Sequence, residues 1–308
     1  MTRVAALDCG TNTLRLLVAD LDPATGSQAV LDRRSTIVRL GQDVDKTGVF
    51  AAVALARTFA TLEEYSEAVS RSGVESVRFV ATSAARDVRN RDVFLTGVRE
   101  RIGVDAEIIS GDDEARLAYD GATRQLSARP DVAEPVLVLD IGGGSTELVM
   151  REPADGAVRG ISLDVGSVRL TERHLHSDPP TAVEVSGVVA DVEAALDTVR
   201  LPLRSAGSLV GVAGSITTMG AMVLDLDAFD PERVHLARLP ASQVTAAIER
   251  VVAMSVVERQ ALPFMHPDRA DVIGAGALVL GCVMRRVGLP ELIVSTSDIL
   301  DGIAWSMV

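Results

Sequence analysis

The sequence predicts an α/β protein built from two similar halves, each with a mixed sheet. Three observations carry that expectation. Residues 4–18 (VAALDCGTNTLRLLV) and 136–150 (VLVLDIGGGSTELVM) repeat one pattern, an apolar run, an Asp-x-Gly turn and a second apolar run, 132 positions apart. Counting the hairpin itself, strand and helix signals run in the order βββαβα from the start of each copy. Finally, 308 residues of which 47% are hydrophobic supply the interior of two domains of about 150 residues.

Taken in order, the first hairpin is followed by a strand over residues 28–40, β-branched and alternating, and a turn over 41–48. Residues 50–70 (FAAVALARTFATLEEYSEAVS) space their apolar positions as an amphipathic helix. A buried strand over 77–81 leads through Thr82 and Ser83 into a helix carrying Arg86, Arg89 and Arg91. Arg89 and Arg91 suit a solvated helix face, whereas Arg86 lies closest to the strand end, where ligands of α/β folds gather. After a short strand at 105–109, Ser110 and the acids behind it read as a helix start. That cap accounts for Asp112 and Asp113 but leaves Glu114 surplus, a candidate general base on pattern alone.

The second half begins after a polar, proline-bearing connection at 127–135, and its hairpin is followed by a strand at 157–163 and a helix at 181–200. His174 and His176 have no third ligand at metal-binding spacing and read as surface residues ahead of a turn. Residues 209–219 (LVGVAGSITTM) form a third strand–glycine–hydroxyl element, either an ordinary strand-to-helix turn or part of a nucleotide pocket. Helices beginning at 241, 267 and 297 and a strand at 291–294 complete the chain, with the run 272–284 read as a tightly packed core helix.

The duplicated turn carries the chemistry. Gly142, Gly143 and Gly144 let a ligand approach the backbone, and successive N–H groups in such a turn form an anion-binding concavity. Ser145 and Thr146 offer hydroxyls, while Asp140 and Glu147 place carboxylates that would repel a bare phosphate unless a divalent cation intervened. No lysine follows the glycines and no helix opens from them, which excludes a P-loop and a dinucleotide fingerprint. A plain glycine-turned hairpin explains one copy of the pattern; two matched copies point to a phosphate site.

Composition narrows the partners. A net charge of −13 without a basic run argues against nucleic-acid or anionic-membrane surfaces. Lys46 is the single lysine beside 29 arginines, so phosphate binding falls to arginine, backbone amides and metal. Two cysteines, Cys9 and Cys282, suit a reducing cytoplasm, with Cys9 read as small and buried.

Assembled in order, the motifs DCGTNTLRLLV, ATSAAR, ISGDDEARLAYDG, DIGGGSTELV, GSVRLTERHL, GVAGSITT and ADVIGAGALVL…DILDGIAW resemble the exopolyphosphatase/guanosine pentaphosphate phosphohydrolase family from end to end. The resemblance implies a duplicated ribonuclease-H-like fold of the actin-like ATPase superfamily. Its two domains would flank a central cleft, residues 1–120 with the helix 298–308 forming one and 121–297 the other. It implies Glu114 as the base that activates water and Gly142, Gly143, Gly144 and Ser145 as the phosphate loop. Asn12, Thr13 and Arg86 would be that loop's partners, and Asp8, Asp140 and Glu147 the carboxylates at Mg²⁺, with Mn²⁺ as a substitute. The chain departs from the family in having Asp113 before the base and no helical C-terminal extension. The expected activity is release of orthophosphate from polyphosphate ends, with the guanosine pentaphosphate (pppGpp) phosphohydrolase as the alternative and a kinase of the same superfamily behind it. A homodimer is the expected assembly.

Overall fold

Both halves of the chain grow from a buried antiparallel hairpin extended by parallel strands. The computed structural model describes residues 1–126, 129–152 and 155–308. Ser127 and Ala128, at the head of the connection expected at 127–135, lie outside the described residues. The chain divides into two units, Met1–Gly121 with Ile299–Val308, and Ala122–Asp298.

In the first unit β1 (Thr2–Cys9), β2 (Thr13–Asp22), β3 (Ser27–Ile37), β4 (Ser76–Ala81) and β5 (Ala106–Ile108) are arranged β3-β2-β1-β4-β5. The first three are antiparallel, and β4 and β5 run parallel to β1. The second unit repeats this with β6 (Val136–Ile141), β7 (Thr146–Arg151), β8 (Val158–Leu163), β9 (Ser208–Val212), β10 (Arg238–Pro240) and β11 (Glu291–Val294). Their order, β10-β11-β9-β6-β7-β8, is the same frame with one antiparallel edge strand added. This is the duplicated ribonuclease-H-like fold, with two mixed sheets.

Local sequence explains most elements. In the helix Ala52–Ser72 the buried positions Leu55, Thr58, Leu62, Tyr65 and Val69 fall on one stripe, and Gly73 ends it at φ 64°. Thr181 and Glu184 form a reciprocal capping box ahead of the helix Ala182–Asp197. The helix Ile273–Val287 packs tightly enough that a Cβ on Gly276 would stand 2.6 Å from Ser215 Oγ. The final helix, Ile299–Trp305, covers the first unit's sheet, and Trp305 Nε1 donates to Gln28 Oε1 at 2.8 Å.

Four expectations change. The third strand stops at Ile37 rather than 40, because the amides of Val38 and Arg39 turn away to bind the carbonyl of Asn12, each at 2.9 Å. The helix after β4 breaks into a single turn, Ser83–Arg86, and the helix Arg91–Ile102. Asn90 causes the break by bridging the backbone of Phe50 in both directions, at 2.8 and 3.1 Å. The helix expected from 267 is only a 3-10 turn at Pro267–Arg269, with the helix proper starting at Ile273. A further helix, Ser167–His174, forms where the sequence reading placed none.

Candidate active site

The repeated turn has the same construction in both units. Gly10 N–H donates to the Thr13 carbonyl and Gly142 N–H to the Ser145 carbonyl, both at 3.0 Å. In the second unit the carbonyls of this turn are held by the helix Ser167–His174. Gly142 O accepts from Ser167 N–H, and Gly143 O from the amides of Val168 and Arg169, at 2.8–3.1 Å. Gly144 O accepts from Arg169 Nε at 2.8 Å. A trans peptide sets each N–H opposite the carbonyl before it. The amides of Gly143, Gly144 and Ser145 therefore point away from the helix as a group, which suits a turn whose successive N–H groups face an anion. Gly166 permits the grip, since a Cβ there would lie 2.5 Å from Gly143 O.

The first unit reproduces the device with the segment after β3. Thr11 O accepts from Gly41 N–H at 2.8 Å and Asn12 O from Val38 and Arg39, turning the amides of Asn12 and Thr13 outward. Of the two hydroxyls expected to face a ligand in the second turn, Thr146 is instead structural. It is buried and donates to the Val165 carbonyl at 2.5 Å. Ser145 is also buried.

Side chains differ between the halves in one telling way. Across the first sheet, Val80, Asp8, Arg15 and Ser35 stand side by side in register; across the second, Val212, Asp140, Glu147 and Ser162 occupy the equivalent row. Arg15 donates to Asp8 Oδ2 through Nε at 2.9 Å and Nη2 at 2.5 Å. The second unit instead has two buried carboxylates on one face, with Ser162 Oγ donating to Glu147 Oε1 at 2.7 Å. Adjacent buried like charges are costly, and a hard divalent cation offsets the cost. Among the described residues no three His, Cys, Asp or Glu side chains gather into a complete metal shell. The donor set at Asp140 and Glu147 nonetheless fits Mg²⁺, which takes one or two carboxylates and completes its octahedron with water and phosphate oxygens. Asp8 lies in the other unit, already engaged by Arg15.

Glu114 lies in the first unit, in the first turn of the helix Gly111–Thr123 and 8% exposed. Ser110 makes the cap, accepting from the Asp113 amide at 3.1 Å while its hydroxyl donates to Asp113 Oδ2 at 2.7 Å. Glu114 is thus left for other work. Arg86 Nη1 donates to Glu114 Oε2 at 2.7 Å and to the Ile109 carbonyl at 3.0 Å, and the Thr82 side chain also hydrogen-bonds Glu114. Burial pushes the Glu114 carboxyl above its ordinary range; Arg86 and Thr82 pull it down, and Asp8 adds to the rise. Burial wins, giving a carboxylate more basic than an exposed one. Cys9, buried beside Asp8, has its thiol pushed well up and is no nucleophile.

Other expectations fare differently. His174 is a packed residue rather than a surface one, with Nε2 2.8 Å from Asp191 Oδ2, which also accepts from Arg173 at 2.9 Å. The 209–219 element is a strand-to-helix turn, β9 into the helix Ala213–Val223, and the Arg269 guanidinium fills the space where a Gly214 Cβ would lie. Thr82, Ser162 and the helix at Ser167 escaped the sequence reading. Their signal was the Gly-Ser pair at 166–167 and the hydroxyls flanking known motifs.

A sequence profile described as the Ppx/GppA phosphatase family matches residues 18–308. The chain belongs to this family. Exopolyphosphatase 2 of Mycobacterium tuberculosis is 46% identical over 322 aligned residues, covering 100% of this chain and 99% of the relative. Among solved structures, an exopolyphosphatase-like protein superimposes with a TM-score of 0.94 at 36% identity, covering 99% of this chain and 98% of its own. The Ppx/GppA family member of Aquifex aeolicus gives 0.81 at 32% identity, with 99% and 97% covered. The family's phosphatase character fits a turn of outward-facing amides, an acid pair and a buried base.

Proposed function

We propose that the protein is an exopolyphosphatase that releases orthophosphate from polyphosphate ends by in-line attack of water. The observation that carries this reading is Glu114, buried, made basic by its burial and surplus to the helix cap. The turn at Gly143, Gly144 and Ser145 binds phosphate oxygens, with the amides of Asn12 and Thr13 as the first unit's counterpart. Arg86 orients the base and offers cationic charge to the substrate. A Mg²⁺ at Asp140 and Glu147 would offset developing phosphate charge, in a reaction where positioning and charge neutralisation do most of the catalysis. The enzyme is taken to be cytoplasmic, in keeping with two buried free cysteines, and homodimeric. No helix among the described residues is long and apolar enough to cross a membrane.

Substrate choice follows from what a guanosine end would need. An aromatic platform favours a nucleobase, and this chain has six Phe, two Tyr and one Trp. Phe50, Phe79 and Phe94 pack together, Phe59 lies under Arg101, and Phe264, Tyr65, Tyr119 and Trp305 are buried. Phe229 alone is substantially exposed, at 43%. Among the arginines beside the motifs, Arg15, Arg86 and Arg173 each hold a carboxylate already, which leaves only part of each guanidinium for phosphate. Matched phosphate-release assays at one ionic strength should favour polyphosphate over guanosine pentaphosphate by at least about tenfold in kcat/KM, roughly 1.4 kcal/mol. An equal or reversed preference would establish the alarmone phosphohydrolase instead.

The Arg86 pair makes a pH prediction. A base whose carboxyl is raised loses activity on the acid side at a higher pH than an ordinary carboxylate. Arg86 opposes that rise, so Arg86→Gln should move the acid limb of kcat/KM to still higher pH, whatever happens to its height. A limb that stays in place or moves to lower pH excludes this coupling.

A further inference from the structure

We propose that the buried hydroxyl pair Thr11–Ser83 is a positioning device that couples the first phosphate turn to Glu114, acting through the segment Thr82–Arg86. The two hydroxyl oxygens lie 2.8 Å apart, joining residues 72 positions apart in sequence. Both residues are buried. Ser83 opens the single turn Ser83–Arg86, and the residues at either end of this segment, Thr82 and Arg86, are the two that hydrogen-bond Glu114. Whatever fixes Ser83 therefore fixes two of the base's partners together. On the other side, Thr11 belongs to the turn whose Asn12 and Thr13 amides face outward.

Two further observations favour a device over incidental packing. A Cβ on Gly41 would stand 2.2 Å from the Thr11 methyl, so the bare Gly41 backbone makes room for this rotamer and aims the hydroxyl at Ser83. The repeat also supplies a comparison. The position equivalent to Thr11 in the second unit is Gly143, which has no hydroxyl, so the link exists only in the half that carries Glu114. A second tie, Thr82 N–H to the Cys9 carbonyl at 3.2 Å, joins the same two segments through the backbone.

The inference rests on Glu114 as the base, and the test separates the two ideas. Removing both hydroxyls in Thr11→Val/Ser83→Ala leaves no buried hydroxyl without its partner, so the double variant should melt close to wild type. Its kcat on polyphosphate should nevertheless fall by about 10- to 100-fold, the scale for slightly misplaced catalytic groups, with KM changed by less than about twofold. Thr11→Ser, which keeps the hydroxyl, should retain most of the wild-type kcat. Wild-type kcat in a well-folded double variant, or equal losses in Thr11→Ser and Thr11→Val, would overturn the coupling. Glu114→Gln is assayed alongside. If it turns over normally, the base assignment fails and the coupling with it; if it is inactive while the double variant is normal, only the coupling fails.

Discussion

Glu114→Gln is expected to bind polyphosphate about as well as the wild type yet lose about 10²- to 10⁴-fold in kcat, some 3–5 kcal/mol, the scale of general-base loss. Gln keeps the shape of the side chain and can still accept from Arg86, so the variant isolates proton abstraction. A second readout has a definite sign. The folded state holds the Glu114 proton more tightly than the unfolded chain, because its carboxyl is raised by burial. Stability from this group is present below the ordinary carboxylate pKa and is lost as pH rises through the folded value. Gln cannot ionise, so the stability difference between variant and wild type should move in the variant's favour from about pH 4 upward. Denaturant melts across pH check this, and single-turnover assays check the rate. Turnover within a few fold of wild type would remove Glu114 from the chemistry.

Asp140→Ala should have the second-largest effect. Losing one of two adjacent carboxylates should raise the Mg²⁺ concentration for half-activation by at least about 100-fold, roughly 2.8 kcal/mol. Chelator should abolish wild-type activity, and Mg²⁺ or Mn²⁺ should restore it. Calorimetric titration of Mn²⁺ without substrate gives the same comparison independently of turnover. An apo wild type working at full rate would eliminate the metal.

How far the sequence revealed these features depends on whether a feature is local. The strand–turn–strand repeat, the amphipathic stripe over Leu55–Val69 and the glycine-rich turn are written in neighbouring residues, and the topology follows from them. Glu114 stood out because Ser110 already satisfied the helix cap. The Arg15–Asp8 pair depends on hairpin register, which places the two residues directly opposite each other and which local sequence does not announce. Thr82 and Ser83 sit in a visible motif, but their partners come from β1 lying beside β4, a contact between distant residues. The helix at Ser167 is amphipathic, but it is only eight residues long and no side-chain cap marks its start, so its pattern is too short to stand apart from its neighbours. Most of its task, holding the Gly142 and Gly143 carbonyls through backbone amides, is one that side-chain patterns do not announce.

That grip has a consequence for how such a protein diverges. The two turns, DCGTNT and DIGGGS, share only Asp and Gly at matching positions, yet each closes on the same 3.0 Å glycine bond. Their shape is imposed from outside, by amides of the segment after the third strand of each sheet, and so does not depend on the side chains within the turn. Conformation is thereby separated from chemical identity in the two copies. One copy could acquire a hydroxyl link and an arginine, the other three glycines and a second acid, without either losing its contour. A pair of binding loops held this way can be inherited as a form and specialised as two different reagents.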